Sequence, residues 1–311
     1  MSAPTPSFAE KAARASLATA SFLMVLKGWA AWATGSVAML GSLADTLLDL
    51  IASLVTLLSV RIAAEPPDRE HRFGHGKAEA LAALFQVALI AVSATGIAWR
   101  AVETLVGGAH VGDEGAGILV SVVASLVTIA LVAYQRRAIA ASGSLAIRAD
   151  NIHYESDLAL NVAVIVALLL ARYAGWREAD PIFGIGIALW LGVNAWRASV
   201  AAINQLMDRE WPEERRRRFV EVASRHPELR GIHDLRTRTA GDRDFVQFHV
   251  WVDPEMTVVD AHRVMDEIEA RLAREFPGVE ILIHPDPEGY VGPEDVLAVP
   301  PDEALAAAQR G

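Results

Sequence analysis

The chain has no cysteine. Disulfides and thiolate ligands are therefore excluded, and any metal site must draw on His, Asp, Glu or backbone oxygen. Charge is also scarce, at 21% of 311 residues, while 53% are hydrophobic and the mean hydropathy is +0.29. A soluble chain of this length is rarely so apolar, and the composition points to several membrane spans. No Gly-x4-Gly-Lys-Ser/Thr loop is present, which argues against direct ATP drive within the chain. H-E-x-x-H and Gly-x-Ser-x-Gly are missing as well, so an intramembrane metalloenzyme, one rival reading, has none of its usual signatures. No removable signal peptide is expected, because Ser2 to Arg14 is polar, carries Glu10 and leads into a segment long enough to span.

Six segments read as transmembrane helices: Ala15–Thr34, Val37–Val60, Ala78–Ile97, Ile118–Tyr134, Leu158–Tyr173 extended back to about Ala146, and Ile182–Ile203. Basic residues gather on one side of them. Lys11 and Arg14 precede the first; Arg61, Arg69, Arg72 and Lys77 follow the second; Arg136, Arg137 and Arg148 follow the fourth; Arg209 and Arg215 to Arg218 follow the sixth. The opposite loops hold only Arg100, Arg172 and Arg177. The positive-inside rule then puts both termini in the cytoplasm.

The formal charge of −10 is uneven. Residues 1–206 carry 14 Lys and Arg against 15 Asp and Glu, whereas residues 207–311 carry 14 against 23. The first part reads as a membrane domain (1–207), the second as an acidic, water-exposed domain (208–288) with an expected disordered tail of Pro, Ala and acid (289–311). An acidic balance argues against a nucleic-acid partner. Within the second part the pattern predicts a helix over Glu213–His226, strands over Ile232–Thr239 and Phe245–Val252 joined by a turn at Gly241-Asp242, an amphipathic helix over Thr257–Phe276, and a short strand over Val279–Ile283. The expected fold is thus an all-α six-helix membrane domain followed by a small αββαβ domain of the α+β class.

Asp45-Thr-Leu-Leu-Asp49 and His153-Tyr-Glu-Ser-Asp157 carry the most chemistry. Each places two metal-ligand side chains at i and i+4, on one face of a helix, inside apolar sequence. An Asp at the centre of a span costs roughly 2.5–3.5 kcal/mol on insertion scales, so these groups must face one another, water or a cation. Three carboxylates and an imidazole suffice for a four-ligand divalent transition-metal site. A packed polar cluster is the alternative. A second group, Asp68, His71 and His75, lies between the second and third spans, where a solvated polar loop is the favoured reading of the residues alone. A third comprises His233, His249, His262, His284 and Asp286 in the acidic domain. Alternation puts Val246, Phe248, Val250 and Val252 on one strand face and His249, with Gln247 and Trp251, on the other. Lys27, the one charge in the first span, is expected to snorkel or contact a neighbouring helix. His110 and His226 match no pattern.

Six spans, Asp-x3-Asp in the second, His-x3-Asp in the fifth and a cytosolic α+β tail resemble the cation diffusion facilitators, over the chain from the first span to about Pro287. The bacterial zinc and iron efflux branch is the most similar. The resemblance implies a homodimeric metal/proton antiporter of the bacterial inner membrane that exports Zn²⁺, Fe²⁺ or Cd²⁺ by alternating access. It implies transport through Asp45, Asp49, His153 and Asp157, an ion at Asp68, His71 and His75, and a carboxylate-bridged binuclear centre in the tail that senses the ion, with His262 acting across the dimer. Lys77 and Asp208 match a charge interlock near the dimer interface, though a surface pair of little energetic weight is as good a reading of these two residues. Manganese-type members usually have Asp where His153 stands, so the imidazole favours Zn²⁺, Cd²⁺ or Fe²⁺. A membrane-anchored sensor that transports nothing remains the other rival, but an anchor has no need of the intramembrane ligands.

Overall fold

A computed structural model describes residues 7–34, 37–107, 118–174, 176, 179–228 and 230–289. The chain divides into two units, Met1–Asn204 and Gln205–Gly311. The first is helical: α1 (Phe8–Thr34), α2 (Val37–Ala63), α3 (Ala78–Gly107), α4 (Ile118–Ser142), α5 (Leu145–Ala174) and α6 (Ala179–Leu206). These are the six expected spans, most of them extended at one end or both. Four contain stretches long and apolar enough to cross a bilayer: Asp45–Ala63, Ala78–Val106, Val122–Ser142 and Pro181–Leu206. α1 and α5 are less apolar, and in α5 the difference comes from Arg148, Asp150, His153, Glu155 and Asp157.

Local signals fix where the ligand-bearing helix starts. α4 ends at Gly143, whose φ of +67° suits glycine because it carries no Cβ, and Gly143 N donates to Ile139 O at 2.8 Å. Ser144 then caps α5, its Oγ accepting from Ile147 N at 3.3 Å. The two helices therefore form a hairpin with a two-residue turn. Ser144 Oγ also donates to Glu79 Oε2 at 2.5 Å, tying the start of α5 to the start of α3. α1 packs on α2 and α4, α5 packs on α4 and more lightly on α2, and α3 lies against α2 and α5. α6 meets α3 through Ile90, Ala94, Leu191 and Ala195. Gly184 comes so near Ala101 that an added Cβ would sit 3.3 Å from the alanine methyl.

The second unit contains α7 (Glu213–Ala223), β1 (Gly231–Ala240), β2 (Arg243–Val252), α8 (Val258–Glu275) and β3 (Val279–Pro287). β1 pairs antiparallel with β2, and β2 parallel with β3. Thr257 caps α8 by accepting from Asp260 N. Val246, Phe248, Val250 and Val252 of β2 turn inward onto Phe219, Val264, Ile268, Leu272 and Phe276. Two boundaries differ from the sequence pattern by about three residues or more. α7 stops at Ala223 rather than His226, since the residue before Pro227 is driven out of the helical region. β3 runs on to Pro287, because its parallel pairing with β2 continues through His249↔His284 and Trp251↔Asp286; on an edge strand Pro285 and Pro287 cost little. The expected tail from 290 onward lies outside the described residues.

Phe219 is fully buried and meets Phe248 and Phe276 at ring-centroid distances of 5.5 and 5.2 Å. Phe219→Ala should destabilise the second unit by about 3–5 kcal/mol, through lost apolar burial and the cavity left behind. Thermal unfolding of the purified full-length protein measures it, and a loss below about 1 kcal/mol would mean the core closes elsewhere.

Candidate metal centres

In the helical unit Asp49 from α2 meets His153 and Asp157 from α5. One ligand atom from each lies within 4.8 Å of the others, and His153 Nε2 is 2.7 Å from Asp49 Oδ1. His153 Nδ1 is buried without a hydrogen-bond partner. Asp45, one turn earlier on α2, is exposed and stands outside this group. A carboxylate with access to water stays hydrated rather than approach two like charges. Beside it Thr46 is buried and accepts from Lys27 Nζ at 2.8 Å, so the lysine of α1 makes a contact with α2.

The connection between α2 and α3 folds around Asp68. Its Oδ1 accepts from Glu70 N at 2.8 Å and His71 N at 2.5 Å. His71 Nδ1 and His75 Nε2 lie 3.3 and 3.4 Å from its oxygens, and the two imidazole rings are 4.5 Å apart. Gly74, at φ +82°, makes the turn that brings His75 back. His71's backbone N–H, with help from that of Glu70 and against slight burial, holds the Asp68 carboxyl below its ordinary 3.8. Hydrogen bonds to the charged form act in this direction.

In the second unit the parallel register sets His249 beside His284 and Trp251 beside Asp286. Asp286 Oδ2 lies 3.1 Å from His233 Nε2 and 2.8 Å from His249 Nδ1, while its Oδ1 lies 3.3 Å from His284 Nε2. One carboxylate thus faces imidazoles on both of its oxygens. His262 is not among them: its side chain is 77% exposed, with Asp266 3.7 Å away. Asp234, which sequence reasoning passed over, sits at φ +46° where the β1–β2 register shifts, 3.8 Å from His249 Nε2. An Asp beside a histidine in a strand gave no sign of that kink.

Imidazole–carboxylate clusters in a membrane unit and on the open face of a small sheet can hold divalent transition metals. Known proteins pair the same two units. Residues 13–207 match the cation efflux transmembrane domain and residues 211–288 the cation efflux protein cytoplasmic domain. The chain belongs to the cation efflux family. The cation-efflux pump FieF of Escherichia fergusonii is 41% identical over 277 residues, 89% of this chain and 92% of that one, and FieF of Escherichia coli O1:K1 is 42% identical over the same shares. Among solved structures the Zn form of CzrB is 42% identical, covering 27% of this chain and 98% of its own with a TM-score of 0.25. As a cation efflux family member the chain is an integral membrane transporter and not an enzyme.

The remaining expected residues fall elsewhere. Asp208 adopts φ +54° and lies 3.7 Å from Arg238; Lys77 immediately precedes α3 in the other unit. His110 lies outside the described residues. His226 is buried and contacts Glu267 at 3.1 Å. Arg263 first, then His226, hold the Glu267 carboxyl below its ordinary 4.5.

The Asp68 shift has a consequence for acid sensitivity. A depressed carboxylate stays ionised above its ordinary value and gains a proton only as the pH falls below 3.8. An ion held at this loop would therefore not lose the Asp68 ligand to protonation until the pH fell below that value. Asp68→Asn should weaken Zn²⁺ binding about tenfold and move its acid release to higher pH, because a weaker site yields to protons sooner. Zn²⁺ titrations of the two proteins across a pH series test this, and unchanged affinity with an unchanged midpoint would contradict it.

Proposed function

We propose that this protein exports Zn²⁺, with Fe²⁺ and Cd²⁺ as alternative cargo, from the bacterial cytoplasm across the inner membrane in exchange for protons, as a homodimer with both termini cytoplasmic. The observation that carries this reading is the convergence of Asp49, His153 and Asp157 from two helices inside the membrane unit. Three ionisable groups in such a place carry a large desolvation cost unless a cation or proton shares them. Asp45, one turn toward the start of α2, completes the set when it turns inward, giving three carboxylates and one imidazole.

The ligands themselves supply the proton coupling. Metal binds imidazole only in its neutral form, so a proton and the ion compete for His153. On the outer, more acidic side the proton wins and the ion leaves; on the cytoplasmic side the proton leaves and the ion enters. Alternating exposure of one site to the two sides then links the flows. The imidazole also favours borderline ions such as Zn²⁺ over ions that prefer oxygen alone. In the second unit, Asp286 between His233, His249 and His284 is suited to two ions bridged by one carboxylate, with His262 contributed by the other protomer. Binding there would report cytoplasmic metal. Asp68, His71 and His75 form a separate loop site, and Lys77 with Asp208 is the proposed interlock.

Proteoliposome flux separates this reading from its rivals, since an anchored sensor or an enzyme moves no metal. The native chain should take up Zn²⁺ driven by a proton gradient. Asp157→Ala should abolish uptake, and His153→Ala should abolish it or uncouple it from protons. Retained proton-coupled flux in His153→Ala would remove His153 from the exchange.

A further inference from the structure

Asp150 is a fully buried carboxylate to which none of the metal clusters gives a role. It lies one turn before His153 on α5. Gln86 Nε2 of α3 donates to its Oδ1 at 3.1 Å, and Gln135 Nε2 of α4 donates to its Oδ2 at 2.8 Å. The two amides extend the contact to other helices. Gln86 Nε2 also donates to Thr56 Oγ1 of α2 at 3.1 Å, and Gln135 Nε2 to Ser16 Oγ of α1 at 2.9 Å. Asn151 Nδ2 donates to Gln135 Oε1 at 3.0 Å. Five helices meet at this one carboxylate, and Ser16, Thr56, Gln86 and Gln135 are as buried as Asp150.

Its position relative to the transport ligands gives the network a meaning. α2 and α5 run in opposite directions, since Asp49 meets His153 while Thr56 joins the group around Asp150. On the face of α2 that carries the ligands, exposure falls from Asp45, which is exposed, to Asp49 at 14% and on to buried Thr56. Along α5, read in the opposite direction, it falls from half-buried Asp157 to His153 at 9% and then to buried Asp150. These two faces are open at the same end of the site and shut at the other. The shut end is the Asp150 network.

We infer that Asp150, Gln86 and Gln135 are the closed inner gate of the transport path, the crossing point that must part before an ion can reach the site from the cytoplasm. This rests on the alternating-access reading above. A seam of amides and a carboxylate suits a gate. Closed, each carboxylate oxygen holds an amide donor; parted, the same groups exchange those bonds for bonds to water, at small net cost. Gln86 Oε1, buried without a hydrogen-bond partner, gains an acceptor's share of that water. An apolar seam would instead expose hydrocarbon on opening. Asp150 is accordingly a positioning residue that acts on access and touches no cargo.

The absence of cysteine makes a sided test clean. Ser53, buried on α2 between Asp49 and Thr56, becomes the only thiol in Ser53→Cys. An impermeant thiol reagent is applied to the cytoplasmic face of inverted vesicles, and Zn²⁺ flux of the native chain is measured alongside. With the network intact, labelling should be slow. Gln86→Met or Gln135→Met, which keep the volume and remove the donor, should each speed it about tenfold, and Asp150→Asn, which keeps the shape, should speed it less. Gln86→Met removes only one side of the network, so it remains informative should the Asp150 variant fail to fold. Equal labelling rates in the parent and both Met variants would overturn the gate. Absent Zn²⁺ flux in the native chain would instead overturn the transport reading, and the labelling rates would still decide whether this end is sealed by the network.

Discussion

An ionised side chain inside an apolar bundle must be given partners by other helices, and the helical unit is organised around that requirement. Lipid is as apolar as leucine, so burying leucine between helices gains little over leaving it in the bilayer. Polar groups have no such freedom. Asp150 takes one amide from α3 and one from α4; His153 takes Asp49 from α2; Lys27 of α1 takes Thr46 of α2; Tyr154 of α5 takes Ser53 of α2 at 2.9 Å. These pairings fix which helices are neighbours and at what height. Small residues let the backbones come close enough to make them, as buried Ala12, Ala13, Ala52 and Ala146 do.

Water reverses the priorities in the second unit. There the hydrophobic effect builds the fold, from Phe219, Phe248 and Phe276 with the aliphatic face of α8, and the opposite sheet face is left free for chemistry. Histidines 233, 249 and 284 can cluster on it because none of them is needed for the core. Trp251 stacks on His233 at 4.4 Å between ring centroids and steadies one imidazole without competing for its nitrogens. Asp286 joins the three imidazoles from the edge strand, where two prolines interrupt no further pairing. The same residue types therefore meet in two solvents for opposite reasons: in the bundle their pairing holds the helices, and on the sheet the fold holds them.

What could be read from the sequence was what is periodic or local. The i,i+4 spacing gave the shared faces of Asp45 with Asp49 and of His153 with Asp157, the apolar runs gave six helices, and alternation gave the two faces of β2. Partners distant in the chain were out of reach. Gln86 and Gln135 are ordinary helix residues until the fold carries them to Asp150, 64 and 15 positions away. Asp150 itself lies three residues before His153 rather than four and belongs to no repeated motif. The positive φ of Asp234 and the extra length of β3 both follow from strand register, a property of pairing that one strand does not encode.

Asp150, His153 and Asp157 stand at i, i+3 and i+7 of α5, on one face of a helix. A regular helix is stiff over two turns, since bending it sharply needs a proline, a bulge or an inserted group, and residues 150–157 form unbroken helix without proline. Any tilt or rotation that draws Asp150 from Gln86 and Gln135 therefore also moves His153 relative to Asp49. On the reading proposed here, the chemistry of the site and the closure beneath it are two ends of one lever, and the imidazole is the group that pulls on it. Neutral, it can share an ion with the carboxylates; protonated, it is itself the cation that Asp49 and Asp157 hold. The two states place different charges at the same height on α5, which in the proposed exchange would give metal and proton a differential interaction with its position, the condition any ligand must meet to shift a conformational equilibrium.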